Sequence, residues 1–177
     1  MANPTYAHYV LGLRDVKVTK IDGSVQEDMD AAQEFSISVS VEESVLEGDD
    51  VEKASIARIL GGEGNVGSGS LSLAAMAIIF GTTIATTGVT PNRVSTLSVT
   101  SALRPPYFKI YGMAYDDALG ALQVIVHKAK LSGDFEIPMS TGDEWVTPGF
   151  DFRMLANDSG VIVDIKQLET AAALPAT

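Results

Sequence analysis

Apolar and polar residues alternate strictly between Phe35 and Glu42. A period of two is typical of a β-strand that turns one face to a core and leaves the other open. The apolar row is Phe35, Ile37, Val39 and Val41, and the polar row is Ser36, Ser38, Ser40 and Glu42. An acidic segment follows over residues 43–50, and a second strand is predicted over 51–60. The pattern predicts a hairpin with a long charged loop at about 42–52, a feature that favours assembly over catalysis.

The rest of the pattern predicts a mainly β chain with one helix. Residues 70–80 are apolar nearly all round, Ser70 or Ser72 can cap the helix, and Gly81 can end it. Residues 25–33 and 61–69 are expected to be a loop and a flexible connector. The predicted strands outside the hairpin lie at 11–21, 94–100, 107–115, 122–129, 131–137, 150–155 and 161–168. Turn signals between them favour a two-sheet β-sandwich or partial barrel with the helix on its flank.

Composition places limits on function. The 12 basic and 23 acidic residues give a net charge of −11, which disfavours binding to nucleic acid and to anionic lipid. There is no cysteine, so disulfides and thiolate metal sites are excluded. The most apolar stretch, 71–80, is about half the length of a membrane-spanning helix. We expect one soluble domain over residues 1–177, without a signal peptide or membrane contact, and with a loose tail at about 169–177.

Sequence motifs give little support to an enzyme. Residues 62–67 match G-x-G-x-x-G, but no acidic residue follows over 82–90 to bind a ribose, and the later strands do not alternate with helices. A nucleotide-binding enzyme that uses Gly62–Gly67 is therefore the weaker alternative. His8 and His127 lack ligand spacing, and the acids around Asp28 and Asp49 lack the EF-hand pattern. No catalytic residue, cofactor or metal is expected.

Five segments, in their order and spacing, carry a resemblance to a known family. They are GLRDVKVTKIDG at 12–23, EGDD at 47–50, SLSLAAMAIIFG at 70–81, RPPYFKIYG at 104–112 and ETAAALP at 169–175. With them the chain resembles, over nearly its whole length, the major tail tube proteins of long-tailed (siphovirus-type) bacteriophages. The resemblance implies hexameric rings stacked into a hollow virion tail tube. Genomic DNA passes through such a tube during ejection, without sequence-specific binding.

The resemblance also implies partners and contact residues. Other copies of the chain, the tape-measure protein, the tail terminator and the distal tail protein are the implied partners, with synthesis in the cytoplasm of the host bacterium. The matching inter-ring loop gives the candidate contact residues Glu43, Val45, Leu46, Glu47, Asp49 and Asp50. Val45 and Leu46 either fold back on their own hairpin or anchor on a neighbouring subunit. A ring-forming tail connector and a contractile-injection-system tube protein are the alternatives.

The polar row of the first strand is the candidate lining of the tube. Ser36, Ser38, Ser40 and Glu42 present hydroxyls and a carboxylate on one face, and such a wall repels phosphates so that DNA slides without sticking. The opposite row, Phe35 to Val41, is expected to pack against the helix or the second sheet.

Overall fold

The computed structural model describes residues 10–48, 51–70, 72–116, 120–139, 141, 146–170 and 172–175. Ten strands and one helix lie within these ranges, which confirms the predicted mainly β fold with a flanking helix. In chain order they are β1 (Val10–Lys20), β2 (Gln26–Asp28), β3 (Ala32–Gly48), β4 (Val51–Ser68), α1 (Leu73–Phe80), β5 (Ile84–Thr87), β6 (Val94–Leu97), β7 (Phe108–Asp116), β8 (Ala121–Glu136), β9 (Gly149–Met154) and β10 (Val163–Leu168).

Eight of the strands form one antiparallel sheet in the order β2-β1-β7-β8-β9-β4-β3, with β10 also paired to β8. The 16-residue β8 is long enough to take two strands along one edge. Its residues 121–126 pair with β10, and its residues 129–136 pair with β9. Strands β5 and β6 form a separate two-stranded sheet. The large sheet stays open within the described residues, because its order runs from β2 to β3 without closing.

The main core lies on the concave face of this sheet. Phe150 and Phe152 of β9 are almost fully buried there, and Phe35 of β3 stacks on Phe152 with ring centroids 6.3 Å apart. The Phe35 ring also fills the space beside Gly112 of β7, where a Cβ atom would lie 2.5 Å from it. Since β3 and β7 are not neighbours in the sheet, this contact shows that the sheet curls over, as a sandwich requires.

Helix α1 covers the core from one side. The Ser72 Oγ accepts a hydrogen bond of 3.2 Å from the Ala75 N–H and so caps the first turn. Gly81 ends the helix in the left-handed conformation, with φ of 70°. Phe80 packs edge-on against Phe135 of β8 at 5.2 Å between centroids. The helix was predicted from residue 70 and begins at Leu73.

The predicted connector at 61–69 is strand instead. Strand β4 continues to Ser68 and pairs with β3 on one edge and with β9 on the other. Its glycines give room to large neighbours, because a Cβ at Gly64 would overlap the Phe152 ring and lie 2.5 Å from the Ser36 carbonyl oxygen. A glycine-rich sequence that would be flexible in isolation is thus held by two strands and by an aromatic side chain.

Residues 172–175 are packed more firmly than expected. Leu174 is 3% exposed and joins a second apolar cluster with Tyr111 and Met113 on the convex face of β7 and β8. The Gln123 Nε2 donates a hydrogen bond of 2.9 Å to the Ala172 carbonyl. The expectation of a loose tail over 169–177 therefore does not hold for residues 172–175.

Replacing Leu174 with Ala should lower the free energy of unfolding by about 2–3 kcal/mol, since it removes a buried side chain and leaves a cavity. Urea unfolding followed by circular dichroism measures the effect. Leu60, which is 63% exposed, provides the matched leucine control, and its change to Ala should cost less than about 0.5 kcal/mol. Equal losses for the two variants would mean that the tail does not contribute to the core.

Candidate assembly interface

A two-stranded hairpin extends beyond the body of the sheet. Strand β9 pairs with β4 only over residues 62–67, so within the described residues 41–48 of β3 and 51–60 of β4 pair only with each other. We call these two segments the arm. An extra residue, Leu60, forms a β-bulge at its base, between the pairs Ser40–Gly61 and Val41–Ile59. At about 3.3 Å per residue, the arm reaches about 26 Å from its base.

The arm exposes large apolar side chains on both faces. In antiparallel pairing, cross-strand partners lie on the same face. Val41 and Val45 therefore share one face with Ile59, while Leu46 and Ile56 lie on the other. The exposed fractions are Val41 60%, Val45 44%, Leu46 65%, Ile56 60%, Ile59 62% and Leu60 63%. Apolar surface of this extent with no core of its own is typical of a site that binds another protein.

These exposures bear on the two expectations for Val45 and Leu46. Val45 is 44% exposed and Leu46 is 65% exposed, so neither side chain is buried against its own hairpin. Anchoring on a neighbouring subunit stays a prediction. The segment predicted as an acidic loop is strand as far as Gly48, and Glu43 lies on β3 with its side chain exposed. Glu47 also belongs to β3, and Asp49 and Asp50 lie outside the described residues.

The sheet also offers an open edge. Strand β3 is 17 residues long and has only β4 as a partner within the described ranges. Among the described residues no strand pairs with its other edge, and an open edge of this kind is a template for a strand of another chain.

The polar row lies where the alternation predicts it. Ser36, Ser38, Ser40 and Glu42 are exposed on one face of β3. The opposite row is packed only in part. Phe35 and Ile37 lie against the core, but Val39 and Val41 are 40% and 60% exposed. The expectation that the whole row packs is wrong for these two valines. Val39 pairs with Gly62, where the pairing of β4 with β9 ends, and Val41 lies beyond it on the arm.

This polar surface continues across three further strands. The register aligns Ser38 with Glu63, then Arg153, then Lys130. Along the next row, the Asn65 Nδ2 donates a hydrogen bond of 2.8 Å to Asp151 Oδ1. A groove of about 510 Å³ runs between the serines of β3 and Ser132, Gly133 and Asp151. The convex face thus carries carboxylates on one part and cations on another, and it is not uniformly acidic.

Sequence reasoning missed a group of cations on that face. The Lys128 and Lys130 Nζ atoms lie 4.9 Å and 5.4 Å from the centroid of the Tyr107 ring. Lys109 shares a groove of about 410 Å³ with Lys128 and Tyr107, and Arg153 shares one of about 270 Å³ with Lys130 and Tyr107. We call Tyr107, Lys109, Lys128, Lys130 and Arg153 the basic patch. The alternation of Lys128 and Lys130 was the available signal, but Lys109 and Arg153 join them only through strand pairing.

The cations of the basic patch are weakly neutralised. In the described part of the chain, the only carboxylate within 4.0 Å of any of them is Asp158, whose Oδ1 lies 4.0 Å from the Lys128 Nζ. Lys17 shows the contrast, because its Nζ lies 3.0 Å from Asp28 Oδ1. That hydrogen bond raises the pKa of Lys17.

The structure gives the G-x-G-x-x-G motif a different role. Gly62, Gly64 and Gly67 lie inside β4 and take part in its pairing with β3 and β9. They do not form the loop before a helix that a nucleotide phosphate needs. The absence of a side chain at Gly62 makes room for Met154, and its absence at Gly64 makes room for Phe152.

The remaining candidate residues form no larger cluster. His127 Nε2 lies 2.9 Å from Asp164 Oδ2, while His8 lies outside the described residues. No group of three or more metal-ligating side chains occurs among the described residues. Among them, no helix combines the length and apolarity needed to cross a bilayer.

Comparison with known proteins gives structural likenesses without a matching family. No protein-family model matches the chain, and no curated protein matches it. Among solved structures, a chain of the cryo-EM structure of the anti-feeding prophage baseplate, 6-fold symmetrised, is similar. The two are 10% identical, the match covers 95% of this chain and 97% of that chain, and the TM-score is 0.43. At this level of similarity the match does not identify the function.

Proposed function

We propose that this chain is a structural, non-enzymatic subunit of a phage-type tail, which assembles with its own copies into rings and then into a hollow tube. The observation that carries the proposal is the arm, whose apolar side chains are exposed on both faces. Burying each such side chain against a neighbour is worth about 1.5–3 kcal/mol. A monomer gains nothing from an extended apolar hairpin, whereas an assembly gains a contact from every copy.

Two kinds of contact build the proposed tube. The open edge of β3 supports strand pairing between neighbours within a ring, which removes the exposed edge as the ring closes. The arm supports contacts between rings through Val45 and Leu46, with Glu43 and Glu47 on the same strand. Asp49 and Asp50, which follow in the sequence, are the other candidate contact residues. Six copies per ring, and partnership with a tape-measure protein, a tail terminator and a distal tail protein, follow from the family resemblance.

We further assign the polar row Ser36, Ser38, Ser40 and Glu42 to the bore. Neutral hydroxyls and a carboxylate give phosphates no attractive site, so DNA passes without being held. The groove beside this row is lined by uncharged Ser132 and by Asp151, which extends the same character.

Negative-stain electron microscopy of the purified protein tests the proposal. We expect six-fold rings and, at higher protein concentration, hollow tubes. Single rings that never stack would favour a ring-forming connector, and a co-purifying sheath would favour a contractile-injection-system tube. A monomer at every concentration reached, shown by sedimentation velocity, would contradict self-assembly.

A further inference from the structure

We propose that the basic patch is the docking site for the arm of a second copy of this chain. The inference rests on the proposed self-assembly and adds to it the receiving surface. The patch holds four of the chain's 12 lysine and arginine residues, although the chain carries a net charge of −11. Among the described residues only Asp158 has a carboxylate oxygen within 4.0 Å of a cation of the patch, so an acidic partner is the natural occupant.

The arm has the matching charge. Residues 41–60 contain six acidic and two basic residues, and Glu42 and Glu43 are exposed. Complementary charge of this kind steers encounter and sets register. The arm also carries the exposed apolar side chains Val45 and Leu46, so its receiving site needs apolar surface as well as positive charge.

The patch offers apolar surface to match. The Tyr107 ring is 39% exposed between two grooves of about 410 Å³ and 270 Å³. Ile21, which is 43% exposed, lines the larger groove, and Leu155 lines the smaller. An apolar centre inside a rim of cations is complementary to apolar side chains flanked by carboxylates.

The geometry excludes docking within one copy. Leu60, at the base of the arm, lines the same groove as Lys130 and Arg153. Leu46 pairs with Ala54, which precedes Leu60 by six residues in β4 and therefore lies about 20 Å from the base. The patch lies at the base of its own arm and Leu46 lies far from that base, so the outer part of the arm reaches the patch of another copy. Such a head-to-tail contact repeats from copy to copy and builds a ring or a filament.

Docking would also remove a conflict with DNA transport. The basic patch lies on the same sheet face as the polar row, through the register of Ser38, Glu63, Arg153 and Lys130. Uncovered lysines on a bore would hold phosphates. Covered by an acidic arm, they are neutralised.

Cysteine crosslinking tests the contact directly, because the natural chain contains no cysteine. Full-length Val45→Cys and Ser159→Cys variants are mixed and treated with a short bis-maleimide, since Val45 lies on the same face of the arm as Glu43. Ser159 is exposed and lines the groove beside Lys128. We expect heterodimer crosslinks to form at least about tenfold faster than with a Ser98→Cys control, which is exposed and lies outside the patch. Equal rates for the two mixtures would overturn the inference.

Charge reversal gives a second measurement. Lys128→Glu/Lys130→Glu and Glu43→Lys/Glu47→Lys should each raise the protein concentration needed for assembly by about tenfold or more. The four changes combined should restore most of the loss, whereas Arg93→Glu/Arg104→Glu, with the same change of charge outside the patch, should have little effect. If the wild type forms tubes and the Lys128/Lys130 variant assembles at the same protein concentration, the docking site is overturned but the proposed function is not. Wild-type protein that never assembles would contradict the proposed function, while the crosslinking still reports on the contact.

Discussion

Replacing both Val45 and Leu46 with Ser is expected to abolish long tubes and leave a folded, soluble subunit. Both side chains are exposed on the arm and belong to neither core cluster, so the fold is not expected to depend on them. If they are buried on a neighbour, their loss removes about 3–6 kcal/mol from each contact. That loss corresponds to a rise of at least about a hundredfold in the concentration needed for assembly.

Negative-stain microscopy and thermal unfolding separate the two effects. The variant should unfold within about 2 °C of the wild type, and its images should show single rings or free subunits. Val89→Ser/Val99→Ser is the matched control, because these valines are 77% and 58% exposed but lie outside the arm. Tubes of normal length from the Val45/Leu46 variant would remove the arm from the stacking role.

The hairpin shows how far local pattern predicts this fold. The alternation from Phe35 to Glu42 specifies a strand and its two faces, because side chains of a strand point alternately to opposite sides. The same pattern does not report where the strand leaves the body of the sheet. Val39 and Val41 have the pattern of core residues, but both are exposed. Their exposure depends on where β9 stops pairing with β4, which is at Gly62, the partner of Val39.

Long-range packing explains the other differences. Residues 61–69 contain five glycines and have the composition of a linker, yet β3 and β9 hold most of them in a strand. The Ala-rich sequence near the end of the chain has the pattern of a loose tail. The group that holds it, the Gln123 side chain bound to the Ala172 carbonyl, is 49 residues away and gives no local signal. The basic patch joins residues of β7, β8 and β9 that are far apart in sequence. Local propensity predicts the type of most elements, whereas contacts between distant segments make a strand of most of 61–69 and decide where the elements end and which residues form the site.

Gly64→Ala is the second prediction with a large effect, and it also tests the role of the glycine motif. A Cβ at this position would overlap the Phe152 ring and lie 2.5 Å from the Ser36 carbonyl oxygen, so the ring or the β3 backbone must move. Overpacking of this kind should lower the free energy of unfolding by about 2–3 kcal/mol. The midpoint of urea unfolding provides the measurement.

Gly67 of the same motif is the matched control. A Cβ there would lie 3.4 Å from the Glu34 Cβ, which is ordinary contact, so Gly67→Ala should change stability by less than about 1 kcal/mol. Adding Phe152→Leu to Gly64→Ala should offset only part of the stability that Gly64→Ala loses. The smaller side chain removes the ring, but the Cβ still clashes with the Ser36 carbonyl oxygen. A phosphate-binding role predicts instead that NAD or ATP stabilises the protein. At 100 times the dissociation constant, the ligand would raise the free energy of unfolding by about 2.7 kcal/mol, which a rise in the melting temperature would report. Equal destabilisation at both glycines, together with such a shift, would favour a ligand over packing.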